Sequence, residues 1–313
     1  MARPLPSQTS TRILLVAVWS IACGGSGDDI APQRAEGLRK PETAIEATAR
    51  RQRSEIAPTR DSQILFGDLH IHTSYSWDGF LFSLPLVGGE GVHPPADACD
   101  FARYCADLDF FALTDHAESM LAESWSASKA SIRQCNALAG DVRDPDLVAF
   151  MGFEWSQAGL TPETHWGHRN VIFPGTAEDE LPTRPIGAGA KRELHAALGR
   201  NMAALRWLQP LGWSEYDAFV DYIAALSRRA VCEDGVGVRE LPLSCEEIAP
   251  SPRDLYAKLD EWGFDALAIP HGTTWGTYTP AGSSIGRAHS GKRGSSRDWR
   301  AGVSHSFRSF TTL

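Results

Sequence analysis

Five short apolar runs, at residues 64–71, 110–114, 147–153, 170–173 and 266–269, limit what this chain can fold into. Each is strand-length and mostly apolar at successive positions, the pattern of strands covered on both faces. Stretches of helical periodicity alternate with them, at 96–108, 125–138, 191–208, 215–228 and 252–262. In the first of these, Phe101, Tyr104, Cys105 and Leu108 share one face, after Pro94 and Pro95. Ser251-Pro252 reads as a helix cap followed by proline at the first helical position. Strand and helix in alternation predict an α/β fold with a parallel, barrel-like sheet. A chain of 313 residues, 42% of them hydrophobic, can bury a substantial core as one large domain or two small ones. There is no internal repeat.

The polar residues on these runs are unusual. The first run ends in His70 and His72, and the second leads into Thr114-Asp115-His116. The third carries Glu154, the fourth begins after His168-Arg169, and the fifth leads into Pro270-His271. Each run therefore has a histidine or glutamate at one end, and chemistry in α/β barrels gathers at strand ends. The two-residue period of a strand puts His70 and His72 on one face, and Asp78 follows six residues later. Any one of these histidines alone would read as a hydrogen-bonded or surface residue. Their recurrence at successive strand ends points instead to metal ligation.

Imidazole and carboxylate donors suit Zn, Mn or Fe. His70, His72, Asp78, His116, Glu154, His168 and His271 supply enough donors for two divalent cations and part of a third. Asp68 and Asp115 flank ligand candidates and read either as carboxylates that orient imidazoles or as strand-end caps. Arg169 reads as a contact for a substrate anion or as half of a structural ion pair. His165, three residues before His168, is placed at the mouth of the site or outside it. His93, His195, His289 and His305 lie in contexts unrelated to the strand ends.

The formal charge of −9 excludes nucleic-acid binding driven by phosphate contacts, although bound cations would let an acidic protein handle a phosphate ester. Residues 1–23 read as an export signal, with Arg3 and Arg12 giving a positive start before a ten-residue apolar core at 13–22. That core is far short of the roughly 20 residues needed to span a bilayer. It runs into Ile21-Ala22-Cys23-Gly24, similar to a lipoprotein cleavage site, so the expected location is the periplasm or cell envelope, with membrane contact only through a lipid on Cys23. Residues 24–62 are polar, lack aromatics and read as a flexible tether. Export permits disulfides. Cys232 and Cys245 bracket a Gly- and Pro-containing loop suited to one, and either Cys99 or Cys105 is expected to meet Cys135, leaving one thiol free. The tail from 283 to 313 has six Arg or Lys against one Asp and no apolar periodicity, so it reads as low-complexity chain. Its G-x-x-x-x-G-K at 286–292 lacks the following Ser or Thr and the preceding strand of a phosphate loop.

No nucleophile elbow, H-E-x-x-H helix or dinucleotide fingerprint is present, and the nearness of Ser74 and Ser76 to His72 in sequence does not make a serine-hydrolase site. The motifs GDLHIHTSYSWD (67–78), LTDHAE (113–118), GFEWS (152–156), HRNVIF (168–173) and IPHGTTWG (269–276) do carry a resemblance. Residues 64–282 resemble the polymerase and histidinol phosphatase (PHP) superfamily and, more narrowly, the family called domain of unknown function 3604. The resemblance implies a PHP-like domain over 63–282 with a distorted (β/α)7 barrel. It implies a di- or trinuclear metal centre held by the seven donors, and a metal-dependent hydrolase of phosphoesterase type acting on a small molecule or phosphate ester. It also implies a closing D-x-H motif, and none follows His271. An incomplete barrel, and with it a truncated, non-catalytic metal-binding fragment, is therefore the second expectation. A third is an amidohydrolase-like enzyme for C–N hydrolysis.

Overall fold

The computed structural model describes residues 64–141, 144–189, 197, 200–201, 214–271 and 279–282. The expected export signal with Cys23, the expected tether, His195 with most of the 191–208 stretch, and the tail lie outside the described residues. In chain order the strands are β1 (Gly67–Ile71), β2 (Phe110–Leu113), β3 (Gly140–Asp141), β4 (Asp144–Pro145), β5 (Val148–Ala158), β6 (His165–Phe173), β7 (Ile186–Gly187), β8 (Glu247–Ile248) and β9 (Leu267–His271). The α-helices are α1 (Trp77–Ser83), α2 (Pro95–Tyr104), α3 (Ala122–Ala137), α4 (Ser214–Arg228) and α5 (Pro252–Trp262), with 3₁₀ turns at Pro85–Val87 and Ala117–Ser119.

The five apolar runs become one five-stranded sheet in the order β1-β2-β5-β6-β9, within a mixed α/β fold. It is not wholly parallel. β1, β2 and β5 run together, but β6 is antiparallel to both β5 and β9. The cause is local: only residues 159–164 separate β5 from β6, and a turn that short joins antiparallel strands, since a parallel crossover needs a dozen residues or more. The reversal brings the start of β6 level with the ends of its neighbours, with His168 paired in register to His271. β5 also extends well past residue 153, so Glu154 sits inside the strand and not at its end. The sheet curls into a half-barrel: Asn170 Nδ2 on β6 donates to Leu69 O on β1, three strands away in the sheet order, at 2.9 Å.

The core on the helix-covered side holds Phe111, Leu113, Trp125, Phe153, Trp155, Phe173, Leu255 and Trp262, all at or below 1% exposure. α5 shows why its boundaries were readable. Ser251 Oγ accepts from Asp254 N, Pro252 opens the helix, and Gly263 closes it at φ 73°, a left-handed conformation glycine tolerates.

α2 turns a different face inward from the one its apolar spacing suggests. It buries Cys99, Ala102 and Arg103, while Phe101 is 63% exposed. Two tethers set this rotation. A disulfide joins Cys99 to Cys135 on α3, and Arg103 donates to Cys135 O and Asp146 Oδ2. A second disulfide joins Cys232 to Cys245, and among the described residues Cys105 is the free, exposed thiol. Among the described residues, no helix is long and apolar enough to cross a membrane.

Candidate metal centre

All seven predicted donors converge on one rim of the sheet. β1 brings His70 and His72, and the chain then turns through 73–76 into α1, which carries Asp78 in its first turn. β2 ends just before His116, whose backbone bridges Glu154 on β5. β6 and β9 bring His168 and His271 as register partners.

Glu154 is the centre of the arrangement. Its side chain is 1% exposed, and its two oxygens address different histidines. Oε2 lies 2.7 Å from His72 Nε2, 3.4 Å from His70 Nε2 and 3.5 Å from His116 Nδ1. Oε1 lies 3.1 Å from His271 Nε2 and in contact with His168 Nδ1. Asp78 forms a second focus: Oδ2 is 3.2 Å from His72 Nδ1 and 3.3 Å from His116 Nε2. The donors fall into three groups able to hold a cation, namely His70–His72–Glu154, His72–Asp78–His116 and Glu154–His168–His271, with the ligand atoms of each group within 4.8 Å of one another.

The charges match that use. Burial opposes an imidazolium at His72, yet the hydrogen bond to Asp78 and the adjacent Glu154 carboxylate outweigh it and hold the pKa up to about 10. Burial likewise opposes the ionised Glu154, but the charge of His116 and hydrogen bonds from His168 and His271 keep its carboxyl below the usual carboxylate range. Burial is also outweighed at Asp78, which hydrogen bonds from His116 and His72 hold low. The His72 imidazolium stands here where a cation's charge would.

The residues fit a metal centre on two counts. The donor set is nitrogen and carboxylate, suited to first-row transition metals. Glu154 Oε2 is also buried without an aligned hydrogen-bond donor, despite its close ion-pair neighbours. With neutral imidazoles around it that buried charge is unbalanced, and a cation would balance it.

Two predicted residues sit beside the cluster rather than in it. Asp115 is buried and accepts from Thr73 N at 2.5 Å and Thr73 Oγ1 at 2.9 Å. It therefore ties the end of β1 to the end of β2 and touches no imidazole ring. Burial pushes its carboxyl up to about 6, against the Thr73 hydrogen bonds. Arg169 points to the opposite face of β6 from His168, as strand alternation requires. It is fully buried, lies 5.1 Å from the Trp155 ring centroid and donates to Trp166 O. In that position it packs against Trp155 on the face away from the ligands. Asp68 accepts from His70 N, holding the backbone and not the ring. His165 is buried at the start of β6, and His93 pairs with Asp97 on the surface.

Several supporting residues were given no role at this site by the sequence, Ser76 among them. Ser156 Oγ lies 2.7 Å from His116 Nδ1 and donates to Glu154 Oε1 at 3.3 Å. Ser76 Oγ accepts from His116 N and lies 3.5 Å from His72 Nδ1. Glu118 Oε1 accepts from Ser156 N and Ala188 N. Tyr222 on α4 donates to Tyr75 O and Ser119 O, pinning the loops that follow His72 and His116. Of these only Ser156 carried a signal, standing two residues after Glu154 and so on the same strand face.

No curated protein and no solved structure matches the chain. Residues 59–140, which contain His70, His72, Asp78 and His116 but stop short of Glu154, match a family described as "Protein of unknown function (DUF3604)".

Proposed function

We propose that this chain is an exported, metal-dependent hydrolase of phosphoesterase type, built on a PHP-like barrel with a di- or trinuclear centre of Zn, Mn or Fe. The observation that carries the reading is the placement of Glu154, one oxygen toward His70 and His72 and the other toward His168 and His271. Residues so placed could hold two cations, with Glu154 common to both groups. When bound, the cations supply Lewis acidity and lower the pKa of water toward neutrality.

The remaining work belongs to the protein. His70, whose side chain is 44% exposed, marks the side from which a substrate reaches the centre. Asp115, through Thr73, and Ser76, through His116 N, hold the β1 and β2 ends at fixed spacing. Tyr222 fixes the two loops from the helix side. Two disulfides among the described residues support an oxidising compartment, in keeping with the export expected from residues 1–23.

The test is metal analysis of the purified full chain, with turnover of a generic phosphodiester and of an amide in added Mn²⁺ or Zn²⁺. Phosphodiester turnover with two or three bound cations is expected, and His72→Ala should lower the metal content. Turnover of the amide alone would favour C–N hydrolysis, and bound metal without turnover would favour a non-catalytic fragment. Absence of metal would remove the premise.

A further inference from the structure

We infer that Ser156 is a positioning residue that selects which nitrogen of His116 faces the metal, an assignment that rests on the metal-centre reading above. Ser156 is fully buried on β5, two residues after Glu154 and on the same strand face. Its Oγ lies between two partners, Glu154 Oε1 at 3.3 Å and His116 Nδ1 at 2.7 Å. A hydroxyl has one proton to donate and can accept in return. The carboxylate is the stronger acceptor, so Ser156 donates to Glu154 and accepts from His116 Nδ1–H. That fixes the neutral His116 as the Nδ1–H tautomer and leaves the lone pair on Nε2.

His116 Nε2 is the nitrogen beside Asp78, 3.3 Å from Oδ2, in the His72–Asp78–His116 group. The alternative tautomer would put a proton on Nε2 and turn the lone pair toward Ser156. The backbone reinforces the choice. Ser156 N donates to the buried Glu118 Oε1, and His116 N donates to Ser76 Oγ, so neither partner is free to swing away. Glu154, Ser156 and His116 thus form a carboxylate–hydroxyl–imidazole chain. Through it the carboxylate at the Glu154 focus sets the donor atom at the Asp78 focus.

Cobalt(II) titration of the full chain tests this, read by visible absorption and by the binding isotherm of each step. Asp78→Ala identifies the step belonging to the Asp78–His116 position. Ser156→Ala is expected to weaken that same step by about 10–100-fold and change its absorption band, the usual loss when a ligand's hydrogen-bonded partner is removed. The steps belonging to Glu154 should change by less than about threefold on the same ground. Ser156→Cys, which keeps an acceptor at this position, should recover part of the affinity. A Ser156→Ala isotherm and spectrum identical to wild type would overturn the inference and leave the metal-centre reading standing, and so would equal weakening of every step. Failure of the wild-type chain to bind cobalt at all would overturn both.

Discussion

His70 and His271 lie with ring centroids 4.4 Å apart, although β1 and β9 are the two edges of the five-stranded sheet. Edges of a flat sheet of that width would be separated by several strand spacings of nearly 5 Å each. The curl closes that distance at the rim where the ligands gather. Fold and site are therefore one problem. Curvature brings the first and last strands to the same carboxylate, and the charged cluster gives the two edges a reason to meet.

Glu154 should matter more than any histidine. Glu154→Gln keeps the shape but removes the charge shared by His70, His72, His168 and His271. Metal affinity should fall at both positions by more than the ~10–100-fold typical of an outer partner. His271→Ala should weaken the Glu154–His168–His271 position alone. Isothermal titration with Zn²⁺ on the two variants separates these outcomes, and equal effects would contradict a shared carboxylate.

The metal-free protein should lose stability in alkali. His72 has its pKa raised in the fold from an ordinary value near 6.5 to about 10. A raised pKa on a base contributes stability that is fully present below about pH 6.5 and lost as pH rises through about 10. Melting of chelator-treated protein should therefore drop across that window. With a divalent cation bound, His72 serves as a neutral ligand, so the drop should shrink. A flat profile without metal would show that His72 is not held as an imidazolium.

The donors were legible in the sequence because histidine and glutamate are conspicuous on apolar runs, and period two decides which of them share a face. The β5–β6 hairpin was not. The second half of β5 is Glu154-Trp155-Ser156-Gln157, where polar residues interrupt the apolar pattern that marks a strand, and the parallel sheet followed from reading β5 as ending too early. α2 was rotated wrongly for a related reason: a disulfide and a buried arginine outweigh a weak apolar stripe. Ser76 and Tyr222 act through hydroxyls on backbone groups distant in sequence. Residues of those types are common everywhere, so only the fold distinguishes them.

Arg169 should prove to be a stability residue. It is packed under Trp155 and bonded to Trp166 O on the face away from the ligands. Loss of a desolvated cation–π contact and a charged hydrogen bond should cost about 2–4 kcal/mol in Arg169→Ala. Metal stoichiometry and affinity should stay within about twofold of wild type, as expected for a site not in contact with the ligands. Denaturant unfolding alongside metal titration checks both, and a specific loss of phosphodiester affinity with unchanged stability would restore the anion-contact role.

Reduction should weaken the fold in two unequal steps. The Cys99–Cys135 bridge spans 36 residues and Cys232–Cys245 spans 13. Loop-closure entropy assigns about 4 kcal/mol to the first and about 3 kcal/mol to the second. The first also sets the rotation of α2 against α3, whose neighbour β5 carries Glu154. The paired Cys99→Ala/Cys135→Ala variant should thus lower both the melting temperature and the metal affinity. Cys232→Ala/Cys245→Ala should lower the melting temperature only, because that loop packs in a separate small cluster with Leu241. Melting curves with and without bound Zn²⁺ for the two double variants decide it, and identical metal affinity in both would show that the ligand rim is held independently of the helix layer.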